Sequence, residues 1–354
     1  MTTTDHPATD HRAATGPTPD LILRVGMGFW ASKTLLSAVE LELFTQLSGQ
    51  SLTATEIGDR LGLHERSRYD FLDALVSLGL LDRAGTGPEA CYHNTPDTAT
   101  FLDKASPAYL GGILEMANAR LYRFWGSLTE ALHTGQPQNE IKTGAPGLFE
   151  GVYADPAVLE NFLHGMHGLQ IGAFTALCST LDLSAHTRFC DIGGANGGLA
   201  AMVAAANPHL TGVTFDLAPV APVAAKNLAR LGAADRVTTA AGDFFTDPFP
   251  PADVYFMGNI LHDWNETQKQ ALIAKAFDAL PARGILVVTE NIIDDDRRTN
   301  SFGLLMSLNM LIELPGGFDY TGAQFDRWAR TAGFSRTEVR QLAGPASAAI
   351  AYKS

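Results

Sequence analysis

The chain has 354 residues, 46% apolar and 18% charged, enough apolar material for one large core and a smaller one, so two domains are expected. Against 38 Asp and Glu stand only 25 Lys and Arg, a formal net charge of −13, and a field of that sign repels phosphate backbones and acidic lipid. Nucleic acid and membrane surfaces are thereby disfavoured as partners, and no run of 18 apolar residues is present to span a bilayer. Cys91, Cys178 and Cys190 are odd in number, lie far apart and lack CxxC spacing, which fits a reducing cytoplasm; the ten His form no metal signature.

Residues 1–20 are polar and rich in Thr and Pro, without the basic and apolar regions of a signal peptide, and read as a mobile tail. From Leu21 apolar residues recur at three and four, which predicts one or two helices. Thr53 followed by Glu56 has the capping-box pattern. Two short amphipathic helices then flank Gly62, the second carrying Leu72, Leu75 and Leu78 inward, and CYHNTPDTATFL reads as a short strand or wing. This is a winged-helix outline over 21–105. Its recognition-helix position offers Arg66 and Arg68 against Glu65, Asp70 and Asp73, so packing or dimerisation is favoured over DNA contact.

Residues 106–180 look helical throughout, with Leu114, Leu121, Phe124, Trp125 and Leu128 at helical spacing and a turn at Asp155-Pro156. From 181 to 354 short apolar runs alternate with helical stretches, which predicts a doubly wound, mostly parallel α/β sheet of seven strands, closing on a hairpin at Gly344-Pro345.

The sharpest local signal is DIGGANGG, residues 191–198, between a strand and a helix. Gly193 and Gly194 let the backbone turn tightly and let a ligand approach main-chain amides. The string is not GxGxxG, and Asp191 puts a carboxylate where a pyrophosphate would sit, so NAD is disfavoured and a ligand with a cation and hydroxyls is favoured. S-adenosylmethionine (SAM) has both. Asp216, followed by Leu217, ends the next strand and suits ribose hydroxyls. Gly242-Asp243-Phe244 ends the third, with Asp243 suited to the adenine amino group and Phe244 to its ring. Three acids at successive strand ends share the carboxyl edge, where open α/β sheets bind ligands. The fourth strand ends in GNILHDWN, with His262 as candidate general base. Glu290 ends the fifth strand and Asp319 lies in GGFDYT, and both are candidates to hold the imidazole. A phenol, with an ordinary pKa of about 10, loses its proton as the methyl arrives, and a placed base contributes roughly 10²–10⁴-fold.

The order winged helix, helical segment, DIGGANGG, FDL, GDFF, LHDW, VVTE, GGFDYT resembles the SAM-dependent O-methyltransferases of the caffeate, hydroxyindole and bacterial polyketide-tailoring type, over about residues 21–354. The resemblance implies a class I methyltransferase domain of Rossmann-like fold and an N-terminal domain that makes a homodimer. It also implies SAM as cofactor, with no metal, and a small aromatic, phenolic substrate of secondary metabolism. By position it implies a SAM loop at Asp191, Gly193 and Gly194, ribose and adenine acids at Asp216 and Asp243, His262 as base, and Glu290 and Asp319 as supports. Met116, Asn118, Tyr122, Trp125, Phe162, Met166, Asn309 and Met310 match acceptor-pocket positions, where each alone is equally compatible with core packing. Three departures from the family pattern stand out: Gly258, a cofactor-binding position on the adenine side where plant members carry Lys, Ser307 where many carry Asp, and Phe318-Asp319-Tyr320-Thr321 in place of Lys-Glu-Arg-Thr. Methylation at carbon or nitrogen of an aromatic or keto-acid precursor, and a step that keeps SAM without transferring its methyl, stay open as alternatives.

Overall fold

The computed structural model describes residues 16–106, 108–145 and 147–354. Most of the expected tail, residues 1–15, lies outside the described residues, and Asp20 already opens a helix. The chain forms two compact units, divided after residue 107, and residues 108–180 belong to the same unit as the large sheet. No helix among the described residues is long and apolar enough to cross a membrane.

The first unit begins with three helices, where spacing suggested one or two: α1 (Asp20–Gly26), α2 (Gly28–Glu40) and α3 (Leu43–Gln46). Glu42 breaks the run, with a left-handed φ of 56°. There follow β1 (Leu52–Thr53), α4 (Ala54–Leu61), α5 (Glu65–Ser77), β2 (Leu81–Ala84), β3 (Cys91–Asn94) and α6 (Pro96–Phe101). The capping box forms: the Glu56 N–H donates to Thr53 Oγ1 at 3.3 Å, and the Thr53 N–H to Glu56 Oε2 at 2.8 Å. Gly62 ends α4 at φ 67°, where a side chain would be strained. Leu72 and Leu75 are buried, but Leu78 is 44% exposed, against expectation. It lies past the last residue of α5 and before the left-handed Gly79, so helical spacing no longer sets its direction. The antiparallel order β1-β3-β2 makes the wing; β2 was not legible in the sequence.

The second unit opens with α7 (Gly111–Met116), a π-turn (Ala117–Leu121), α8 (Tyr122–Phe124), a 3-10 turn (Trp125–Ser127) and α9 (Leu128–Thr134). After α10 (Leu148–Tyr153) comes the long α11 (Pro156–Thr180). The stretch is thus not helical throughout: Gly135, at φ 65°, stops α9, and only a 3-10 turn (Glu140–Thr143) precedes α10. Asp155 caps α11 through the N–H groups of Ala157 (2.8 Å) and Val158 (3.3 Å), and Pro156 occupies its first turn.

The sheet alternates with helices: β4 (Arg188–Ile192), α12 (Gly198–Ala206), β5 (Thr211–Asp216), α13 (Ala221–Arg230), β6 (Val237–Ala241), β7 (Val254–Gly258), α14 (Glu266–Ala279), β8 (Ile285–Glu290), α15 (Ser301–Glu313), α16 (Gly322–Ala332), β9 (Arg336–Gln341) and β10 (Ser347–Tyr352). Its order is β6-β5-β4-β7-β8-β10-β9, parallel except for β10, which runs antiparallel to both neighbours. This is the expected seven-stranded doubly wound sheet, with its terminal hairpin. Successive strand residues point to opposite faces. Tyr255, Met257, Leu286 and Val288 therefore pack on one side, with Leu272 and Ile273 of α14 and Phe325 and Trp328 of α16. Val254, Phe256, Ile285 and Val287 pack on the other, with Phe174 and Leu177 of α11 and Leu199 of α12. Apolar residues on both faces explain why the strands read as unbroken apolar runs. The order reverses between β4 and β7, and a crevice at that switch point is where such sheets take ligands.

Candidate active site

The glycine turn after β4 is built for close approach. Gly193 is left-handed (φ 65°), and a Cβ there would collide with Ile260 and stand 3.7 Å from Phe244. A Cβ on Gly194 would collide with the Thr214 hydroxyl and stand 3.0 Å from the Asp191 carbonyl and carboxylate. Any side chain at either position would fill the turn, which accounts for the double glycine. Asp191 is buried, and its Oδ2 has no hydrogen-bond partner. Burial, and then the neighbouring Asp216 carboxylate, push its carboxyl up to about 8.

Asp216 closes the loop on itself. Its Oδ2 accepts from the Ala195 N–H at 2.9 Å and its Oδ1 from the Leu217 N–H at 2.7 Å. Each oxygen keeps a lone pair for a hydroxyl donor. Past β6, Gly242 leads into a tight turn, where Asp243 Oδ1 accepts from the Phe245 N–H at 2.8 Å. Lys275 ties the turn to α14 through the carbonyls of Phe244 (2.7 Å) and Asp247 (2.5 Å). Phe244 stands edge-on to Trp264, with ring centres 5.9 Å apart. Ile260, Phe244 and Trp264 thus cluster beside Gly193, with Asp243 next in the chain to Phe244. A Cβ on Gly258 would meet Thr289 of β8 at 3.2 Å and Gln170 and Phe174 of α11 at 3.3 and 3.5 Å.

His262 sits in a 3-10 turn (Leu261–Asp263) just beyond β7 and is buried. Its Nδ1 lies 3.5 Å from Asp319 Oδ1 and its Nε2 lies 3.4 Å from Asp263 Oδ1. Glu290 was expected to hold the ring. It accepts instead from the main-chain N–H of His262, its Oε1 at 3.0 Å, and so fixes the turn that carries the imidazole. Asp319 is brought in by the double glycine. The Phe318 N–H donates to the His262 carbonyl at 2.8 Å, and a Cβ on Gly317 would stand 2.9 Å from that oxygen. Ser307 of α15 accepts from the Asp319 N–H at 3.2 Å, so the hydroxyl that replaces the family's carboxylate holds the loop. Burial alone would push the His262 imidazole down; Asp263, Asp319 and Glu290 outweigh it and hold the imidazole up, at about 10. Asp263 is itself raised to about 6 by burial, against the pull of His262.

Sequence reading missed three members of this cluster. Asp263 stood in the LHDW string, and its adjacency to the base was the available signal. Tyr320, fully buried beside Glu290, was noted only as standing where the family pattern has Arg, and that departure was its signal. Lys269 is also fully buried, on the inward face of α14 with Leu272, Ile273 and Ala276. A lysine at an apolar-stripe position was the signal there.

Of the expected acceptor-pocket residues, the structure joins two directly: the Trp125 indole N–H donates to Asn309 Oδ1 at 2.9 Å. Met116 ends α7, Asn118 lies in the π-turn and Tyr122 opens α8, while Met310 is buried on α15. Met166 is half-buried on α11. Phe162, like Tyr153 and Ala195, packs against the buried cluster of Val152, Leu159, Leu163 and Val220. The π-turn is pinned by Arg120, whose guanidinium grips Glu140 (2.7 and 2.6 Å) and Glu313 (3.1 Å), a network with no forerunner in the sequence reading. Among the described residues no group of three or more His, Cys, Asp or Glu is arranged to hold a metal ion.

Residues 125–335 match the model of an O-methyltransferase domain, and residues 23–104 that of an O-methyltransferase dimerisation domain. The chain is 42% identical to the tetracenomycin polyketide synthesis 8-O-methyl transferase of Streptomyces glaucescens, over 98% of this chain and 99% of that one. It is 37% identical to an N,N-dimethyltransferase of Streptomyces rimosus, over 81% and 82% of the two chains. Human N-acetylserotonin methyltransferase, solved in complex with SAM, superposes with a TM-score of 0.88 at 26% identity, covering 97% of this chain and 99% of that one.

Proposed function

The chain belongs to the O-methyltransferases that carry an N-terminal dimerisation domain, and on that premise we propose that it methylates a hydroxyl of a small aromatic natural product, with SAM as donor. The observation that carries the reading is a buried imidazole ringed by three carboxylates at the rim of a cradle that fits SAM. The fit rests on the donor set. Asp191 offers an orphaned carboxylate oxygen to an ammonium, Asp216 two oxygens to a diol, and the Phe244–Ile260–Trp264 cluster apolar surface to a flat ring. The glycine turn leaves the backbone clear beneath them. Bound SAM supplies a methyl already activated on a sulfonium.

The protein's own groups then do three things. Asp191, Asp216 and Asp243 position the donor along the sheet edge. The helical segment carrying Trp125 and the paired Asn309 holds a flat acceptor. His262 takes the hydroxyl proton, while Glu290 fixes its turn and Asp319 and Asp263 stabilise the imidazolium that forms. Held in line at roughly 3–3.5 Å, acceptor and donor need little further organisation. Incubation with methyl-labelled SAM and a panel of hydroxylated naphthoates and polycyclic quinones is expected to give a methyl ether of at least one member. Label on carbon or nitrogen instead, read by NMR of the product, would replace this reading with the second one. The N,N-dimethyltransferase relative is the observation that keeps nitrogen transfer as that second reading.

The dimerisation unit presents an apolar face. Nothing on α1 is buried, and Leu21, Ile22, Val25, Phe29 and Trp30 are each more than half exposed. A contiguous exposed set of this kind marks a protein–protein contact, and we assign it to a second copy of the chain. Ile22→Asp with Trp30→Asp is expected to convert a dimer into a monomer in sedimentation equilibrium; an unchanged mass would place the interface elsewhere.

A further inference from the structure

We propose that Lys269 is a positioning residue of this active site: its ammonium, sealed beneath the catalytic turn against the Phe318 ring, offsets the carboxylates around His262 and so sets how readily the imidazole takes a proton. The proposal rests on the reading of His262 as base. Lys269 occupies an apolar-stripe position of α14 and is fully buried. A buried ammonium is costly to keep, because it gives up its hydration shell. What it receives is specific. Its Nζ donates to the carbonyl of Trp264, one residue past the His262–Asp263 pair, and stands 3.6 Å from the centre of the Phe318 ring and 5.9 Å from that of Tyr320. Both rings belong to the loop that delivers Asp319, so one side chain braces the base's turn and its supporting loop together.

The charges on every element around His262 explain what the ammonium does. The catalytic turn brings Asp263, β8 brings Glu290, the 316–321 loop brings Asp319 and Tyr320, and α14 brings Lys269. Tyr153 of α10 lies in the field of Asp263 and Asp216. The ammonium is held by a carbonyl and aromatic faces, so its field acts on all three carboxylates. Burial pushes Lys269 down to about 8, while Glu290, Asp319, Asp263 and Glu266 act to keep its proton on. With the lysine charged, a neutral imidazole leaves two uncompensated carboxylates; without it, three. Removal of the ammonium therefore makes the imidazolium harder to deprotonate.

The test reads His262 directly. In protein carrying 13C-labelled histidine, with the His262 signal assigned by its loss in His262→Gln, the titration midpoint of Lys269→Arg is expected about one pH unit below wild type, because arginine stays charged through the imidazole's range near 10 whereas the lysine has lost its proton near 8. Lys269→Met, neutral throughout, is expected to keep the wild-type midpoint. A structural role alone would not move this midpoint while melting temperature and S-adenosylhomocysteine binding hold. An unchanged midpoint in folded Lys269→Arg overturns the proposal. Should Arg at 269 fail to fold, the same coupling is visible from the other side. 15N-lysine spectra of His262→Gln are expected to show the Lys269 titration raised, because a neighbouring cation is gone, and an unmoved titration overturns the proposal equally. Neither readout uses turnover, so failure of His262 as base, seen as full activity in His262→Gln, is a separate outcome.

Discussion

His262→Gln is expected to lower methyl transfer by roughly 10²–10⁴-fold and to leave S-adenosylhomocysteine affinity within a few-fold of wild type by calorimetry. The split follows from geometry. His262 touches the proposed donor cradle through no hydrogen bond, whereas its ring sits between Asp319 at 3.5 Å and Asp263 at 3.4 Å. Glutamine keeps the main-chain N–H to Glu290 and roughly the volume, so the turn survives while the proton acceptor is lost. The pH dependence has a definite sign. The carboxylates hold the imidazole above its ordinary value of 6.5, at about 10, so the basic form grows as pH rises. Wild-type turnover at saturating acceptor is therefore expected to climb from pH 7 toward 9, and the residual rate of His262→Gln to lose this limb. The same shift makes protonation of His262 itself stabilising. A group with its folded pKa raised contributes fully below about 6.5 and loses the contribution as pH passes about 10. A glutamine variant with wild-type turnover would remove His262 from the chemistry.

The parts of this molecule that were legible in its sequence are those governed by short-range rules. The β4 to β8 runs, the Thr53 capping box and the Asp155-Pro156 helix start depend on residues within four positions, and each formed as read. The acids at the ends of β4 and β5 and after β6 were placed by strand order alone. What escaped depends on contacts across the fold. Leu78 escaped because α5 ended one residue sooner than its apolar spacing. The Arg120–Glu140–Glu313 network, which starts from the π-turn at Ala117–Leu121, joins segments up to 193 residues apart. The role of Glu290 was half legible: its strand-end position was read, but its partner is a main-chain N–H that no side-chain pattern encodes. Lys269 escaped because a charged residue on a helix is ordinarily solvated, and the Trp264 carbonyl, the Phe318 and Tyr320 rings and the nearby carboxylates that make its burial tolerable come from elsewhere in the fold.

Asp191→Asn is expected to move ligand affinity and apo stability in opposite directions. The carboxyl is buried, one oxygen lacks any partner, and burial followed by the repulsion of Asp216 raises it from 3.8 to about 8. A carboxyl raised by folding is one the fold prefers protonated. As pH climbs from about 4 to about 8, keeping Asp191 ionised costs the ligand-free protein stability that it does not cost the unfolded chain. Asparagine removes that cost with little change of shape. The ligand-free variant is therefore expected to melt a few degrees above wild type at pH 8, with the gap closing toward pH 5, since about 1 kcal/mol moves a domain the size of the unit over 108–354 by roughly 2–4 °C. Its affinity for SAM is expected to fall about tenfold or more, because a buried ammonium then faces an amide in place of a carboxylate. Differential scanning calorimetry and titration calorimetry measure the two arms separately. Undiminished SAM binding in the variant would detach the ammonium from Asp191, and a melting temperature below wild type at pH 8 would mean that the carboxylate is satisfied in the free protein. Opposed shifts identify Asp191 as a residue kept strained in the empty cradle, where its charge is worth more to the ligand than to the fold.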